Sequence, residues 1–292
     1  MMNRVKLYNG TSIPEIGYGT WKAPRAEITI NAIKDAMLCG CNHIDSATRY
    51  GNQVYVGQGI AAGLEATGWK REDIFVTSKL WNTVRGYDET LEAFNQSITD
   101  LGLDYVDLYL IHWPVPSTFR DDYIAKNAET WRAMETLYNE GKCKAIGISN
   151  FKVHHIDELM QTAKVKPMVN QLEFHPGCGV ALKEDIEYCE NLGIVVTGYS
   201  PLANGRIFEF PQVKEIADKL GVSVSQLCMK YAQQKNVIPI FKSVHKDRIL
   251  ENINLNFTIS DEDMALIDAL EEPGLLNDSD HTTFGEDTPP VF

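Results

Sequence analysis

One theme runs through the 292-residue chain: a short apolar run, a turn, then a segment of helical period, repeated eight times. The strand-like runs are Glu15–Gly19, Asn42–Asp45, Ile74–Lys79, Val106–His112, Lys144–Ser149, Met168–Leu172, Ile194–Tyr199 and Val237–Phe241. Most are continuously apolar rather than alternating, as befits strands buried on both faces of a parallel sheet. The segments between them are amphipathic. Ile30, Ile33 and Met37 share one helical face, as do Leu91, Phe94, Ile98 and Leu101, then Trp131, Met134 and Tyr138. Leu182, Ile186 and Cys189 repeat the pattern, and so do Val213, Ile216 and Leu220, with Gly221 placed to end that helix. Eight strands alternating with helices point to an α/β fold, a closed (β/α)8 TIM barrel. On pattern alone, an open doubly wound sheet is the rival. A barrel of this size forms one unit, so residues 1–292 are expected to be a single domain.

Two features flank the repeats. Val5–Tyr8, Asn9-Gly10 and Thr11–Ile13 have the form of a hairpin with a two-residue turn, placed to cap the barrel bottom. Asp261–Leu270 is expected to add a further C-terminal helix, and the Gly/Pro/Asp-rich tail from Glu271 to be irregular.

Charge narrows the partners. Against 27 Lys and Arg stand 40 Asp and Glu, a formal net charge of −13. Such a surface repels nucleic acid and anionic membranes at long range, so neither is an expected partner. The N-terminus, Met-Met-Asn-Arg-Val-Lys, lacks the apolar stretch of a signal peptide. No apolar run approaches the ~20 residues of a membrane span. A cytoplasmic location is expected. The six cysteines, Cys39, Cys41, Cys143, Cys178, Cys189 and Cys228, form no C-x-x-C pair and are expected to be reduced thiols.

Two motifs are decoys. Gly57-Gln58-Gly59-Ile60-Ala61-Ala62-Gly63 resembles a dinucleotide fingerprint, but its spacing is one residue too long and it lies inside a helical segment. Close helix packing is the simpler reading. His154-His155 suggests a metal, yet neighbouring side chains leave a helix on different faces and no spaced carboxylate completes a triad. Both are expected at the surface, with no metal.

Polar residues cluster where the apolar runs end. Asp45 ends the second run, Tyr50 follows in the loop, Lys79 ends the third and His112 ends the fourth. Barrel enzymes keep their sites at the C-terminal strand ends, and Lys, Asp and His are costly in apolar runs unless they pair or work. Taken singly, Asp45 reads as a turn cap, Lys79 as a snorkelling side chain and His112 as a satisfied core histidine. Together at one barrel rim they are a candidate site.

The blocks around these residues carry a resemblance. They are Gly17-Tyr18-Gly19-Thr20-Trp21, His43-Ile44-Asp45-Ser46-Ala47-Thr48-Arg49-Tyr50-Gly51-Asn52, Ser78-Lys79-Leu80-Trp81 and Leu103 to Pro114. Further on come Ile146-Gly147-Ile148-Ser149-Asn150-Phe151, Val169-Asn170-Gln171, Gly198-Tyr199-Ser200-Pro201-Leu202 and Lys242-Ser243 followed by Arg248, Glu251 and Asn252. In this order, over nearly the whole length, the chain resembles the aldo-keto reductases. The resemblance implies a catalytic tetrad of Asp45, Tyr50, Lys79 and His112, with Tyr50 as general acid toward an aldehyde or ketone. A free phenol is a weak acid near neutrality, so a cation beside it, Lys79, is expected to lower its pKa, with Asp45 holding that cation and His112 orienting the carbonyl.

The resemblance also implies NADPH and no metal. Thr20 and Trp21 border the cofactor, Ser149, Asn150 and Gln171 meet the nicotinamide amide, and Tyr199 stacks on the ring. Ser200, Leu202 and Asn204 open the loop along the pyrophosphate. Lys242, Ser243, Val244, His245 and Arg248 suit a 2′-phosphate, and Glu251 and Asn252 the adenine. The substrate pocket is expected from Trp21, Trp81, His112, Trp113 and Phe119. Three departures stand out: Gln53 in place of Glu, Phe241 in place of the proline before Lys242, and Arg49 in place of an apolar pocket residue. Arg49 is read as recognising a substrate carboxylate or phosphate, against a side chain turned to solvent. The short loop after Leu202 is like that of the bacterial members. The expected partner is a small carbonyl substrate, with a keto acid or a sugar-derived carbonyl among the candidates, and the expected state a monomer. Two other functions compete with this reading. A nicotinamide-nucleotide-sensing protein with little turnover conflicts with an intact tetrad. A barrel hydrolase or isomerase leaves Ser149, Asn150, Gln171 and Tyr199 unexplained.

Overall fold

The computed structural model describes residues 2–23, 26–270 and 279–280. A two-stranded antiparallel hairpin comes first, β1 (Arg4–Lys6) and β2 (Ser12–Pro14). The barrel strands follow: β3 (Gly17–Gly19), β4 (His43–Asp45), β5 (Phe75–Leu80), β6 (Val106–Ile111), β7 (Cys143–Ser149), β8 (Val169–Glu173), β9 (Val195–Tyr199) and β10 (Val237–Phe241). They pair in parallel and in chain order, and β10 returns to β3. The sheet is therefore closed, and the open-sheet rival is excluded.

The helices lie outside. They are α1 (Ala26–Leu38), α2 (Gln53–Thr67), α3 (Tyr87–Leu101), α4 (Tyr123–Asn139), α5 (Val153–Met160), α6 (Lys183–Asn191), α7 (Pro211–Leu220), α8 (Val224–Gln234), α9 (Lys246–Ile253) and α10 (Asp261–Asp268). Their apolar stripes bury Ile33, Met37, Phe94, Leu101, Trp131, Met134, Val213 and Ile216 against the outer barrel wall. The glycines of the fingerprint decoy sit inside α2, where they permit close packing. A Cβ on Gly59 would stand 2.9 Å from Ile33 Cβ, and one on Gly63 would overlap Met37.

The hairpin closes the barrel bottom. Its Leu7 and Ile13 join Phe75, Leu108, Leu110, Ala145 and Ile238 in a buried cluster separate from the main one. Its turn differs from the expected two residues. Leu7 N–H donates to Thr11 O at 2.9 Å, so Tyr8, Asn9 and Gly10 form the loop, with Gly10 at φ 87°. Three-residue loops place a left-handed residue there, which glycine adopts without a Cβ penalty. The tail from Glu271 lies outside the described residues, apart from Ser279 and Asp280. Asp261–Asp268 is helical as expected, with Ser260 as its N-cap.

His43 on β4 is a stability switch of the barrel interior. It is wholly buried, its Nε2 is 3.0 Å from Thr77 Oγ1, and Phe75 meets it edge-on. Burial, reinforced by the Lys79 and Arg4 charges, pushes its pKa down to about 3. The unfolded chain thus takes up this proton first, near 6.5. The stability contributed by neutral His43 is complete above that pH and is lost as pH falls toward about 3, at roughly 1.4 kcal/mol per pH unit. Thermal melts from pH 7 to pH 4 are expected to fall more steeply for the parent than for His43→Gln. Parallel curves would refute the assignment.

Candidate active site

The C-terminal strand ends bring four separated side chains together. Asp45 closes β4, and Lys79 lies within β5 one strand away. Tyr50 ends a single 3-10 turn, Thr48–Tyr50, pinned to β5 by the Thr48 hydroxyl donating to Lys79 O at 3.0 Å. His112 follows directly on β6, where its N–H donates to Leu80 O at 3.2 Å. Lys79 is fully buried and has nowhere to snorkel. Its Nζ stands 2.6 Å from Asp45 Oδ1, 3.0 Å from Ser46 O and 3.3 Å from Tyr50 Oη. The ammonium thus joins a carboxylate to a phenol. The His112 ring meets Tyr50 at 6.0 Å and Trp81 at 5.0 Å between centroids, both edge-on.

Burial sets the charge states. Desolvation pushes the Lys79 ammonium down, and Asp45 opposes that shift. The Tyr50 phenol moves well above its ordinary 10.0, through burial first and the Asp45 charge second. This reverses the expected lowering by Lys79. The half-buried phenol has its hydroxyl turned inward with a carboxylate just beyond the ammonium, and desolvation and that charge outweigh the cation. His112 is held well below 6.5 by burial and by Lys79, Arg85 and Arg49, so its ring is neutral near pH 7. The site therefore presents a protonated phenol and a neutral imidazole.

A second set of side chains forms the adjoining wall. Asn150 adopts φ 64° just past β7 and donates through Nδ2 to His112 O at 2.9 Å. The Tyr199 hydroxyl donates to Asn150 Oδ1 at 2.8 Å, and the Ser149 hydroxyl donates to Gln171 O at 2.8 Å. Gln171 departs from a cofactor role alone. Its Nε2 donates to Asp45 Oδ2 at 2.9 Å. Since β8 lies opposite β4 in the closed order, this bond crosses the barrel top and gives Asp45 a second partner besides Lys79. No local sequence signal links residues 45 and 171. Thr20 supports the same strand end, its hydroxyl donating to Asp45 O at 2.9 Å.

Past β9, Ser200 and Asn204 have φ of 51° and 54°, so the chain bends sharply around Leu202 into a short 3-10 segment. Past β10, Lys242, His245 and Arg248 are exposed while Ser243 is buried. Phe241, which stands in place of a proline, packs edge-on against Tyr18. The path beyond it is fixed instead by the Tyr18 hydroxyl donating to Ser243 O at 2.6 Å and by His245 N–H donating to Ser243 Oγ at 3.1 Å. Val244 is half-buried beside them, and Glu251 and Asn252 lie on α9. The sequence reading missed Lys22, whose charge, after burial, depresses the Lys242 ammonium. Lys22 rests 4.3 Å over the Trp21 ring.

Among the pocket aromatics, Trp81 and Trp113 are buried and Trp21 is 38% exposed. Phe119 is half-buried on the next loop, with no ring contact to the four central residues among the described residues. Both buried tryptophans rest on a guanidinium the sequence did not single out. Arg85 donates to Trp81 O at 3.0 Å and Trp113 O at 2.7 Å. Gln53 donates to the Ser78 and Ser97 hydroxyls at 2.9 Å, away from the Lys79 ammonium.

The paired histidines require a correction. His155 is buried, only His154 is exposed, their rings lie 3.9 Å apart, and Asp280 supplies the carboxylate. Distance in sequence hid this partner. His154 Nε2 is 2.9 Å and His155 Nε2 3.1 Å from Asp280 Oδ1. The donor set suits a tether better than a metal. Lys152 N–H donates to His155 Nδ1 at 3.2 Å, which leaves the proton on Nε2, and the Lys152 ammonium is 2.7 Å from Asp280 Oδ2.

A closed parallel barrel with a buried Asp–Lys pair reaching a half-buried tyrosine, and a histidine beside them at its C-terminal rim, defines a barrel oxidoreductase of the carbonyl-reducing kind. Residues 15–272 match the model of the Aldo/keto reductase family. The chain is 45% identical over 270 residues to the uncharacterized oxidoreductase YtbE of Bacillus subtilis, covering 92% of this chain and 93% of that one. It is 41% identical over 273 residues to glyoxal reductase of the same organism, covering 93% and 94%. An aldo-keto reductase of Bombyx mori solved with NADP superposes with a TM-score of 0.85 at 31% identity, covering 99% of this chain and 98% of that one. The chain belongs to the aldo/keto reductase family.

Proposed function

We propose that the protein reduces the carbonyl group of small aldehydes or ketones with NADPH, Tyr50 donating the proton. The observation that carries this is the Lys79 ammonium held in a buried site between Asp45 Oδ1 at 2.6 Å and Tyr50 Oη at 3.3 Å. The residues fit the dinucleotide. Lys22 and Lys242 lie near enough to repel, and neither has an ion pair among the described residues, so an anion is the missing complement. Asn252 Oδ1 is buried without a hydrogen-bond partner among the described residues, an acceptor suited to an adenine amino group. Lys242, Ser243, Val244, His245 and Arg248 would hold the 2′-phosphate end, Ser200, Leu202 and Asn204 the pyrophosphate, and Ser149, Asn150, Gln171 and Tyr199 the nicotinamide. When bound, the cofactor supplies the hydride.

The chain's own residues do the rest. The neutral His112 ring donates its N–H to the carbonyl oxygen and orients it. Tyr50 gives its proton to the oxygen as negative charge builds there. A phenol remains a stronger acid than the alcohol it generates, even with its pKa raised. The phenolate left behind lies next to the Lys79 ammonium, which Asp45, Ser46 and Gln171 keep in place directly or through Asp45. Trp81 and Trp113 exclude water on the substrate side.

Following NADPH absorbance with a panel of aldehydes and ketones tests this reading, and no oxidation with any carbonyl would overturn it. The double variant Lys242→Ala with Arg248→Ala is expected to raise KM for NADPH about tenfold or more while changing KM for NADH little, because only NADPH carries the 2′-phosphate. Equal changes would sink the phosphate assignment. We further propose one domain over residues 1–292, acting as a cytoplasmic monomer. The six free thiols suit a reducing compartment, and light scattering gives the mass in solution.

A further inference from the structure

A cation to which the reduction chemistry gives no role lies against Trp81. Arg49 precedes Tyr50 in the 3-10 turn and is half-buried. Its guanidinium carbon lies 5.1 Å over the Trp81 ring, and the Trp81 ring meets His112 edge-on at 5.0 Å. The side chain is thus laid along the pocket wall and not turned to solvent. Among the described residues it makes no hydrogen bond and no ion pair; stacking on Trp81 is what holds it. Stacking occupies the face of a guanidinium and leaves the edge, with its fork of N–H donors, available. Its charge reaches the His112 ring, where it is one of the influences that keep the imidazole neutral.

We propose that Arg49 is a specificity-determining residue that binds an anionic oxygen group, a carboxylate or phosphate, of the carbonyl substrate. This rests on the reductase reading above and narrows its substrate class. Geometry also selects where the anion sits. The reacting oxygen must meet Tyr50 and His112, while the guanidinium lies over the Trp81 ring, which stands between it and His112 in the chain of contacts. A substrate whose carboxylate or phosphate is set apart from its carbonyl would reach both, the carbonyl at Tyr50 and His112 and the anion at the guanidinium edge. The substrate class is therefore an aldehyde or ketone bearing a remote anionic group. A local cation is needed, because the net charge of −13 repels such molecules and salt screens that field beyond about 8–10 Å.

The test compares kcat/KM for 4-carboxybenzaldehyde with that for its methyl ester, and for glyceraldehyde 3-phosphate with that for glyceraldehyde, at saturating NADPH. The parent is expected to favour at least one anion over its neutral counterpart by about tenfold or more, mainly through KM, since a charge-assisted hydrogen bond has that strength. The favoured pair identifies carboxylate or phosphate as the recognised group. In Arg49→Met that ratio should fall to near one, and Arg49→Lys should restore part of it, which a merely structural arginine would not do. An unchanged ratio in Arg49→Met, or a parent that shows no anion preference while reducing the neutral aldehydes, overturns the role of Arg49 and leaves the reductase reading standing. No oxidation with any of the four overturns both.

Discussion

Replacing Tyr50 by phenylalanine is expected to lower kcat for carbonyl reduction by about a hundredfold to ten-thousandfold, the range a positioned general acid contributes. The ring stays, so its edge contact with His112 is preserved, and only the hydroxyl 3.3 Å from Lys79 Nζ is lost. NADPH binding, read by fluorescence titration, should persist, because the residues assigned to it follow β3 and β7 to β10 or lie on α9, and none of them is Tyr50. Near-parent turnover would remove Tyr50 as the acid. The pH profile adds an independent readout. Burial holds the phenol well above 10.0 and His112 well below 6.5, so neither changes protonation between those values. The parent kcat for reduction should be flat across that window, if chemistry limits turnover. A descending limb near neutrality would mean that the phenol is far more acidic than its surroundings allow.

How much of this was legible beforehand depended on whether the physics was local. Val237–Phe241 is a strand over the expected residues, because its apolar run stops where the ladder stops. The apolar runs start at Met168 and Ile194, whereas the strands begin one residue later; both residues are buried, because burial extends beyond the first paired residue. The four rim residues were found from their type, since Lys79 within an apolar run has a cost that demands a partner. Their energetics were not legible. The direction of the Tyr50 shift depends on how far burial outweighs one ammonium, which only the packed site decides. Contacts between distant residues were equally hidden. Gln171 and Asp45 meet across the barrel, Asp280 reaches His154 and His155, and Arg85 ties Trp81 to Trp113.

Removing the Lys79 charge is expected to damage both activity and stability, and the two effects separate. Lys79→Met leaves Asp45 buried with the Gln171 amide as its one side-chain donor among the described residues. Breaking a buried pair from one side costs about 3–5 kcal/mol, because a charge stays in a dry site without its counterion. It also deprives the nascent phenolate of its neighbouring cation, so kcat should fall by about a hundredfold or more. Adding Asp45→Asn removes the orphaned charge, and an asparagine can still accept from Gln171. The double variant should therefore recover much of the lost Tm. It should recover no kcat, because the cation beside Tyr50 is still missing. Equal recovery of both would mean that Lys79 acts on turnover only through the fold. A Lys79→Met variant as stable as its parent would show that the 2.6 Å pair with Asp45 contributes nothing that solvent does not replace.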